Sequence, residues 1–397
     1  MAQEILKEAM AMQETIKTHR RYLHEHAEVG FELPDTFAYV MDTLQRTGIT
    51  PQKVGRCGIV ASIGEGDTVA MLRADMDALP VREESDLPFA CRTGNAHVCG
   101  HDMHTAMLLG AAALLKRHES TLKGSVRLMF QPAEESLAGA SDMINAGLLE
   151  PSCPSAAMMI HVMNTEGLKP GTVIVPPAGV SAPAADFFEI GLQGKGCHGA
   201  MPQNGIDPIN VGAHLVLALQ AISTRELGMN DAHALTVSAF QAGDAANVMP
   251  DQAVLRGSVR SFDLDIQQFL KKRIEEITQL TAQTFRAEAR LRWLGGCPTL
   301  VNHPELTKLA CEAFPIAIGS ERVLSAAKLG GGDARSVGSE DFSYISQQIP
   351  SLMLAMAAGG ISNVPLHHPK IIFNEEALSY GAAVYAAFAL ARMNVCR

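Results

Sequence analysis

Four strand-like apolar runs constrain the fold of this chain most strongly, because polar residues follow each of them. The runs cover residues 68–75, 125–130, 156–160 and 351–357. Helical patterns lie between several of these runs, and the alternation of strands with helices is typical of α/β domains. We therefore predict an α/β fold in which helices flank a mostly parallel sheet.

Acidic residues and histidines stand at or just after the carboxyl ends of these predicted strands. They are Asp75, Asp77, Glu134, Glu135, His161 and one of the pair His367 and His368. In open α/β sheets, ligands bind at the edge that the carboxyl ends of the strands form. We therefore expect these side chains to converge on one crevice.

A second polar cluster occupies residues 95–104, which contain three histidines, one cysteine and one aspartate. Cys99 and His101 stand two residues apart, so on extended backbone both side chains point to the same side. We predict that these two residues form half of a metal site. The flanking His97 and His104 are left unassigned.

The candidate metal ligands combine thiol, imidazole and carboxylate groups, which divalent metals bind in deprotonated form. The set is Cys99, His101, Glu135, His161 and His367. Five ligands exceed the need of one tetrahedral ion, so we predict two divalent metal ions that share a ligand. The ligand types admit zinc, manganese, cobalt or nickel. Glu134, beside Glu135 in the sequence, then fits the role of a general base.

The segment 184–296 has a different order of elements from the rest of the chain. Its predicted elements run strand, helix, strand, strand, helix, strand, which is the order of a ferredoxin-like α+β unit. We predict that 184–296 forms an inserted domain. Residues 1–183 and 297–397 then form one discontinuous metal-binding domain.

Composition and charge argue against several classes of partner. The formal net charge is −10 and the pI is about 5.8, which is unfavourable for binding nucleic acid or an anionic membrane surface. The longest apolar runs, such as 106–115, are shorter than the roughly 18–20 residues that span a bilayer. The charged N-terminus lacks the apolar core of a signal peptide. We predict a cytoplasmic protein that acts on a small molecule.

Eight stretches distributed over nearly the whole chain match one family, in the order in which that family has them. Two of them read Leu72-Arg-Ala-Asp-Met-Asp-Ala-Leu-Pro80 and Cys99-Gly-His-Asp-Met-His-Thr105. The others cover residues 21–32, 131–135, 196–202, 247–250, 338–342 and 366–369. With these stretches the chain resembles the amidohydrolases of the M20 metallopeptidase clan. The branch is that of hippurate hydrolases, N-acyl-L-amino acid amidohydrolases (aminoacylases) and indole-acetyl-amino acid hydrolases.

The resemblance implies which residues bind metal and which act on the substrate. The metal ligands that it implies are Cys99, His101, Glu135, His161 and His367. The family pattern Leu-His-x-Pro favours His367 over His368. Glu134 matches the catalytic base, whereas Asp75 and Asp102 match acids that orient or support the ligands.

The resemblance also implies that the inserted domain is a lid and a dimerisation domain of a homodimer or a higher homo-oligomer. His198 in this domain matches a histidine that stabilises the tetrahedral oxyanion, either in its own subunit or in a partner subunit. Asn247 matches a position that helps to hold the substrate.

Together these features predict a metal-dependent amidohydrolase. It would cleave the amide bond of an N-acyl amino acid into a carboxylate and a free amino acid, with Glu134 as the base for a metal-activated water. A dipeptidase or aminopeptidase on the same scaffold is the nearest alternative, because both break amides with the same metals. A non-catalytic metal-binding protein and a purely structural zinc site are further alternatives.

Overall fold

The computed structural model describes residues 2–326 and 335–395, which fold into two compact units. The first unit comprises Met1–Ser181, Val301–Arg335 and Asp341–Arg397. The second unit comprises Ala182–Leu300 and Ser336–Glu340. The second unit is thus built mainly from a segment that interrupts the first.

The first unit contains an eight-stranded sheet. Its strands are β1 Pro51–Val54, β2 Gly58–Ile63, β3 Thr68–Asp75, β4 Ser125–Gln131, β5 Ala157–Met163, β6 Val173–Val175, β15 Val323–Ser325 and β16 Ser351–Ala357. They are ordered β1-β2-β4-β3-β5-β16-β6-β15 in space. The four central strands, β4, β3, β5 and β16, are parallel to one another. Antiparallel pairs occur toward the edges, between β1 and β2, β2 and β4, and β16 and β6.

The central strands are almost completely buried. Every residue of β4 is buried, and so are the apolar side chains of β3 and, except for Met163, those of β5. Strands that are covered on both faces consist of nearly continuous apolar residues, which is why these segments stand out in the sequence. The predicted α/β fold with a mostly parallel sheet is confirmed.

Helices of the first unit pack around this sheet. They are α1 Ala2–Ala11, α2 Gln13–Glu25, α3 Pro34–Arg46, α4 His101–Arg117, α5 Gly139–Asn145, α8 Pro304–Ile318, α9 Ser343–Ser346 and α10 Ala377–Val395. α4 is buried on nearly all sides because α2, α10 and β3 pack against it. Its first residue, His101, lies beside the carboxyl end of β3. Within residues 2–326 and 335–395, no helix is both long enough and apolar enough to cross a membrane.

Four antiparallel strands form the sheet of the second unit, and two helices pack against it. The elements are β8 Ala184–Gln193, α6 Pro208–Ala221, β10 His233–Gln241, β12 Gln252–Ser261, α7 Leu264–Thr284 and β13 Glu288–Cys297. The strands are ordered β10-β12-β8-β13 in space. Asp207 and Asp263 cap the two helices, because each carboxylate accepts backbone N–H groups of the first turn. The predicted ferredoxin-like order of elements is confirmed.

Four short strands complete the β-strands of the described residues. They are β7 Gly179–Ala182, β9 Cys197–His198, β11 Val248–Met249 and β14 Leu300–Asn302. β9 and β11 pair with each other in the second unit, so His198 lies opposite Val248.

Candidate active site

The carboxyl ends of neighbouring parallel strands bring the predicted polar residues to one edge of the first unit's sheet. β3 ends at Asp75, and β4 is followed by Glu134 and Glu135. β5 carries His161 near its carboxyl end. The Nε2 atom of His101, at the start of α4, lies 3.7 Å from a carboxylate oxygen of Asp75 and 3.9 Å from one of Glu134. These elements therefore meet at one place, as the strand ends predict.

Two groups of potential metal ligands share the thiol of Cys99. The inner cluster consists of Cys99, His101 and His161, and the outer cluster consists of Cys99, Glu135 and His367. The ligand atoms of each cluster lie within 4.8 Å of one another. Cys99 Sγ is 3.5 Å from His161 Nε2 and 3.4 Å from His367 Nε2. The structure thus brings together all five residues that the sequence proposes as ligands.

Backbone carbonyls orient both imidazoles of the inner cluster. His101 Nδ1 donates to the carbonyl oxygen of Asp77 at 2.8 Å, and His161 Nδ1 donates to that of Val162 at 2.8 Å. Because a carbonyl oxygen only accepts, each ring must carry a proton on Nδ1. The Nε2 atoms, which face the cluster, are the nitrogens available to a metal.

Two buried polar atoms at the clusters have no hydrogen-bond partner within the described part of the chain. They are His101 Nε2 and Glu135 Oε1, which lie 3.9 Å apart. An unpaired buried polar group costs about 1–3 kcal/mol of stability. Divalent transition metals in the two clusters would satisfy both atoms, because such ions take nitrogen, oxygen and sulfur ligands together. The donor set therefore fits a metal centre.

Burial moves most of the ligand side chains toward their neutral forms. It raises the pKa of the Cys99 thiol to about 12, lowers the pKa of His161 to about 3, and raises the pKa of Glu135. Burial also lowers the pKa of His101, but the negative charge of Asp75 and the hydrogen bond to Asp77 outweigh it and raise that pKa well above its usual value. The Cys99 thiol would therefore ionise only beside a cation, and a coordinated metal ion provides that charge.

Asp77 supports three residues of the site at once, a role that sequence reasoning misses. Its backbone carbonyl accepts the hydrogen bond from His101 Nδ1. Its carboxylate accepts the backbone N–H groups of Glu134 at 3.0 Å and of Glu135 at 3.2 Å. The signal in the sequence is the pair of acids, Asp75 and Asp77, directly after a strand. That spacing does not show which of the two aspartates contacts the segments that carry His101, Glu134 and Glu135.

Asp75 is fully buried between a guanidinium group and an imidazole. Its Oδ2 atom accepts from Arg73 Nη1 at 2.7 Å, and its Oδ1 atom accepts from His104 Nδ1 at 2.6 Å. Burial alone raises the pKa of Asp75, but the charges of His101 and Arg73 lower it well below its usual value. Asp75 therefore places a buried negative charge beside His101.

Asp102 contacts α2. Its Oδ2 atom accepts from Arg20 Nε at 2.7 Å and from His24 Nδ1 at 2.9 Å, and all three side chains are buried. Asp102 is the second residue of α4, so its carboxylate ties the start of that helix to α2. The role that the resemblance implies for Asp102, to orient or support the metal ligands, stays a prediction.

His367, rather than its neighbour His368, reaches the outer cluster. His367 has a left-handed backbone conformation with a φ of 67°, and its N–H donates to the carbonyl of Val98 at 3.0 Å. His368 Nδ1 accepts the backbone N–H of Lys370 at 3.1 Å. The turn at His367 thus brings its own ring, and not the following one, to the Cys99 thiol.

Comparison with known proteins identifies the family. The model of peptidase family M20/M25/M40 matches residues 71–391. The chain belongs to this family.

Relatives of this M20 chain are named as enzymes that act on amides. The N-acetyl-L-cysteine deacetylase of Bacillus subtilis (strain 168) is 37% identical over 364 residues, which cover 90% of this chain and 83% of the relative. The IAA-amino acid hydrolase ILR1-like 4 of Arabidopsis thaliana is 35% identical over 380 residues, which cover 93% of this chain and 84% of the relative. These relatives confirm the predicted amidohydrolase branch.

A solved structure of the same family has the same fold. The Bacillus subtilis YXEP protein, described as a dinuclear metal binding peptidase from the M20 family, matches with a TM-score of 0.76 and 32% identity. The match covers 96% of this chain and 98% of that chain.

The second unit of this M20 chain carries the two remaining predicted site residues, His198 and Asn247. Both are exposed. They lie on neighbouring segments, because the N–H of Gly199 donates to the carbonyl of Asn247 at 2.9 Å. The structure thus brings these two residues together within that unit, and their roles stay predictions.

Proposed function

We propose that this chain is a metal-dependent amidohydrolase that cleaves the amide bond of N-acyl amino acids. The products are a carboxylate and a free amino acid. The observation that carries the proposal is the meeting of two ligand clusters at Cys99, beside Glu134. The relatives named as an N-acetyl-L-cysteine deacetylase and an IAA-amino acid hydrolase support the substrate class.

Two divalent ions fit the clusters, one in each. Cys99 would belong to both sites, His101 and His161 would complete the inner site, and Glu135 and His367 would complete the outer site. When bound, such a pair lowers the pKa of water and polarises the amide carbonyl. The dinuclear metal binding of the YXEP protein supports the number two. Zinc, manganese, cobalt and nickel all suit these ligand types.

Glu134 is the proposed general base. Its side chain is 8% exposed, and its Oε2 atom lies 3.9 Å from His101 Nε2, at the edge of the inner cluster. The hydrogen bond from its backbone N–H to Asp77 holds this segment in place. A carboxylate in this position takes the proton of the attacking water and returns it to the leaving amine nitrogen.

The second unit has a proposed part in catalysis and assembly. Residues 184–296 would act as a lid and as the dimerisation domain of a homodimer. His198 would stabilise the oxyanion, and Asn247 would hold the substrate. The exposure of both side chains supports this proposal, because neither is committed to the core of the unit.

The replacement Glu134→Gln tests the mechanism. We expect kcat on acetyl- and benzoyl-amino acids to fall by roughly 10²–10⁴-fold, the usual contribution of a general base, while metal content stays the same. Glu312→Gln is the matched control, because that side chain is 64% exposed on α8, and it should leave turnover unchanged. Full turnover by a metal-loaded Glu134→Gln variant would contradict the mechanism.

The substrate class is tested by rates of the wild-type chain on two kinds of amide. We expect acyl-amino acids to be hydrolysed faster than dipeptides of the same amino acids with a free amine. Faster hydrolysis of the dipeptides would instead indicate a dipeptidase or an aminopeptidase.

A further inference from the structure

His104 is a fully buried histidine of α4 whose two ring nitrogens are both hydrogen-bonded. Its Nδ1 atom lies 2.6 Å from Asp75 Oδ1, and its Nε2 atom lies 2.8 Å from the backbone nitrogen of Val162. A backbone N–H only donates, so His104 Nε2 must accept and carries no proton. The single ring proton then lies on Nδ1 and is donated to Asp75. His104 is therefore committed to the protein and is not available to a metal.

Val162 on β5 is hydrogen-bonded to His104 and also orients His161. Val162 donates its N–H to His104, and its carbonyl oxygen accepts from His161 Nδ1 at 2.8 Å. The His104 and His161 rings also contact each other, with centroids 4.9 Å apart at 66°. The backbone of Val162 is thus held between the two imidazoles. A displacement of this strand end would change the direction of His161 Nε2.

The side chain of Val162 also contacts the backbone next to Cys99. Gly100 has a left-handed φ of 91°, and a Cβ atom there would lie 2.4 Å from Val162 Cγ2. The close approach requires glycine at this position. Val162 thus follows His161 in the sequence and contacts the backbone beside Cys99, so it lies next to two members of the inner cluster.

The other end of the His104 contact is fixed by buried charges. Asp75 Oδ2 accepts from Arg73 Nη1 at 2.7 Å, and Arg73 Nη2 donates to Asp341 Oδ1 at 3.1 Å. Gln131 Nε2 also donates to Asp341 Oδ1, at 2.6 Å. All four of these side chains are fully buried. Asp75 is thus a rigid anchor for His104.

We infer that His104 is a positioning residue, which fixes Val162 to Asp75 and thereby holds His161 ready to bind the ion of the inner cluster. This inference rests on the proposed function, because it requires that the inner cluster binds a metal ion. It concerns the inner cluster, because the hydrogen bonds of His104 lead through Val162 to His161, which belongs to the inner cluster and not to the outer one.

Metal titration of the full chain with Zn²⁺ tests the inference. Loss of a hydrogen-bonding partner outside the ligand shell typically costs 10–100-fold in metal affinity. We therefore expect His104→Phe to weaken one of two bound equivalents by roughly that factor and to leave the other unchanged. His97→Phe is the matched control, because His97 is buried in the same segment and neither of its nitrogens has a hydrogen-bond partner among the described residues. It should bind both equivalents as the wild type does.

Two amide variants separate the contacts of His104. The oxygen of His104→Gln reaches the place of Nε2 and can accept from Val162, whereas His104→Asn reaches only toward Asp75. We expect the glutamine variant to recover most of the lost affinity and the asparagine variant to recover little. Equal zinc affinities of the wild type and His104→Phe would overturn this inference but not the proposed function. Equal losses of zinc affinity in His104→Phe and His97→Phe would do the same. A wild-type chain that binds no divalent metal would overturn the proposed function as well.

Nitrogen-15 NMR of the metal-free wild type, labelled at histidine, provides a test that does not depend on a difference in metal affinity between variants. We expect His104 to be neutral, with the proton on Nδ1, and to keep this form after Zn²⁺ is added, while the Nε2 signal of His161 shifts. A proton on His104 Nε2, or a direct shift of that nitrogen on metal binding, would overturn the inference. The His104 signals are assigned by their absence from the His104→Gln spectrum.

Discussion

The inner and outer clusters share one thiol but differ in how firmly their other members are held. In the inner cluster, His101 is 1% exposed, and backbone carbonyls fix the rings of both histidines. In the outer cluster, His367 is 53% exposed and lies 3.7 Å from Glu135 Oε1. A buried ligand set favours a fixed ion, whereas an open one leaves coordination positions for water and substrate. We therefore expect the inner ion to bind more tightly and the outer ion to exchange more readily.

The largest effect is expected from Cys99→Ala, which removes the ligand that the clusters share. The affinity for both metal ions should fall. Activity should fall by more than roughly 100-fold, the upper end of the loss caused by removing a residue that only hydrogen-bonds to a ligand. Metal content by mass spectrometry and kcat/KM on an acetyl-amino acid measure this. Cys91→Ala, another buried free cysteine, is the control and should keep both ions. Two tightly bound ions in Cys99→Ala would show that the clusters are not joined through the thiol.

The next effect is expected from His367→Ala, which separates the two clusters. It should remove the outer ion and leave the inner ion bound, because His101 and His161 keep their supports. His368→Ala is a matched control on the neighbouring residue and should change neither metal content nor rate. If the two variants lose equal amounts of metal, the assignment of His367 to the outer cluster is wrong.

The smallest of these effects is expected from Asp77→Asn, which changes the support of Glu134 and Glu135 and removes no ligand. An amide has one acceptor oxygen for the N–H groups of Glu134 and Glu135, so their segment should shift without losing a ligand. We expect kcat to fall by roughly 10–100-fold with two ions still bound at high metal concentration. Asp186→Asn, a buried aspartate bonded to Lys271 in the second unit, controls for general damage to a core. A wild-type rate in Asp77→Asn would mean that Glu134 keeps its position without the Asp77 carboxylate.

The identities of the five clustered side chains could be predicted from the sequence for a physical reason. Buried parallel strands are recognisable as apolar runs, and their carboxyl ends meet at one edge of the sheet. Asp75, Glu135 and His161 therefore had to lie near one another once the strands were identified. The edges of the sheet were harder to predict, because strands as short as β6, with residues Val173–Val175, leave little periodicity to detect.

The supporting hydrogen bonds could not be predicted in the same way, because they depend on the directions of individual groups. Asp102 lies next to a candidate ligand in the sequence, yet its partner Arg20 is 82 residues away. The partners of His104 are 29 and 58 residues away, and one of them is a backbone N–H. Asp77 likewise acts on backbone groups, which carry no mark in the sequence. Only the folded chain distinguishes these residues from ordinary polar neighbours.

The distribution of the ligands along the chain also sets an order for assembly during synthesis. Cys99, His101 and His161 are all synthesised before residue 162, whereas His367 follows about 200 residues later. β5, which carries His161, pairs directly with β3, whose carboxyl end lies beside His101. For two ions bound as proposed, a growing chain can capture the inner ion early. The outer ion, and with it a working enzyme, must wait until the segment that contains His367 has been made.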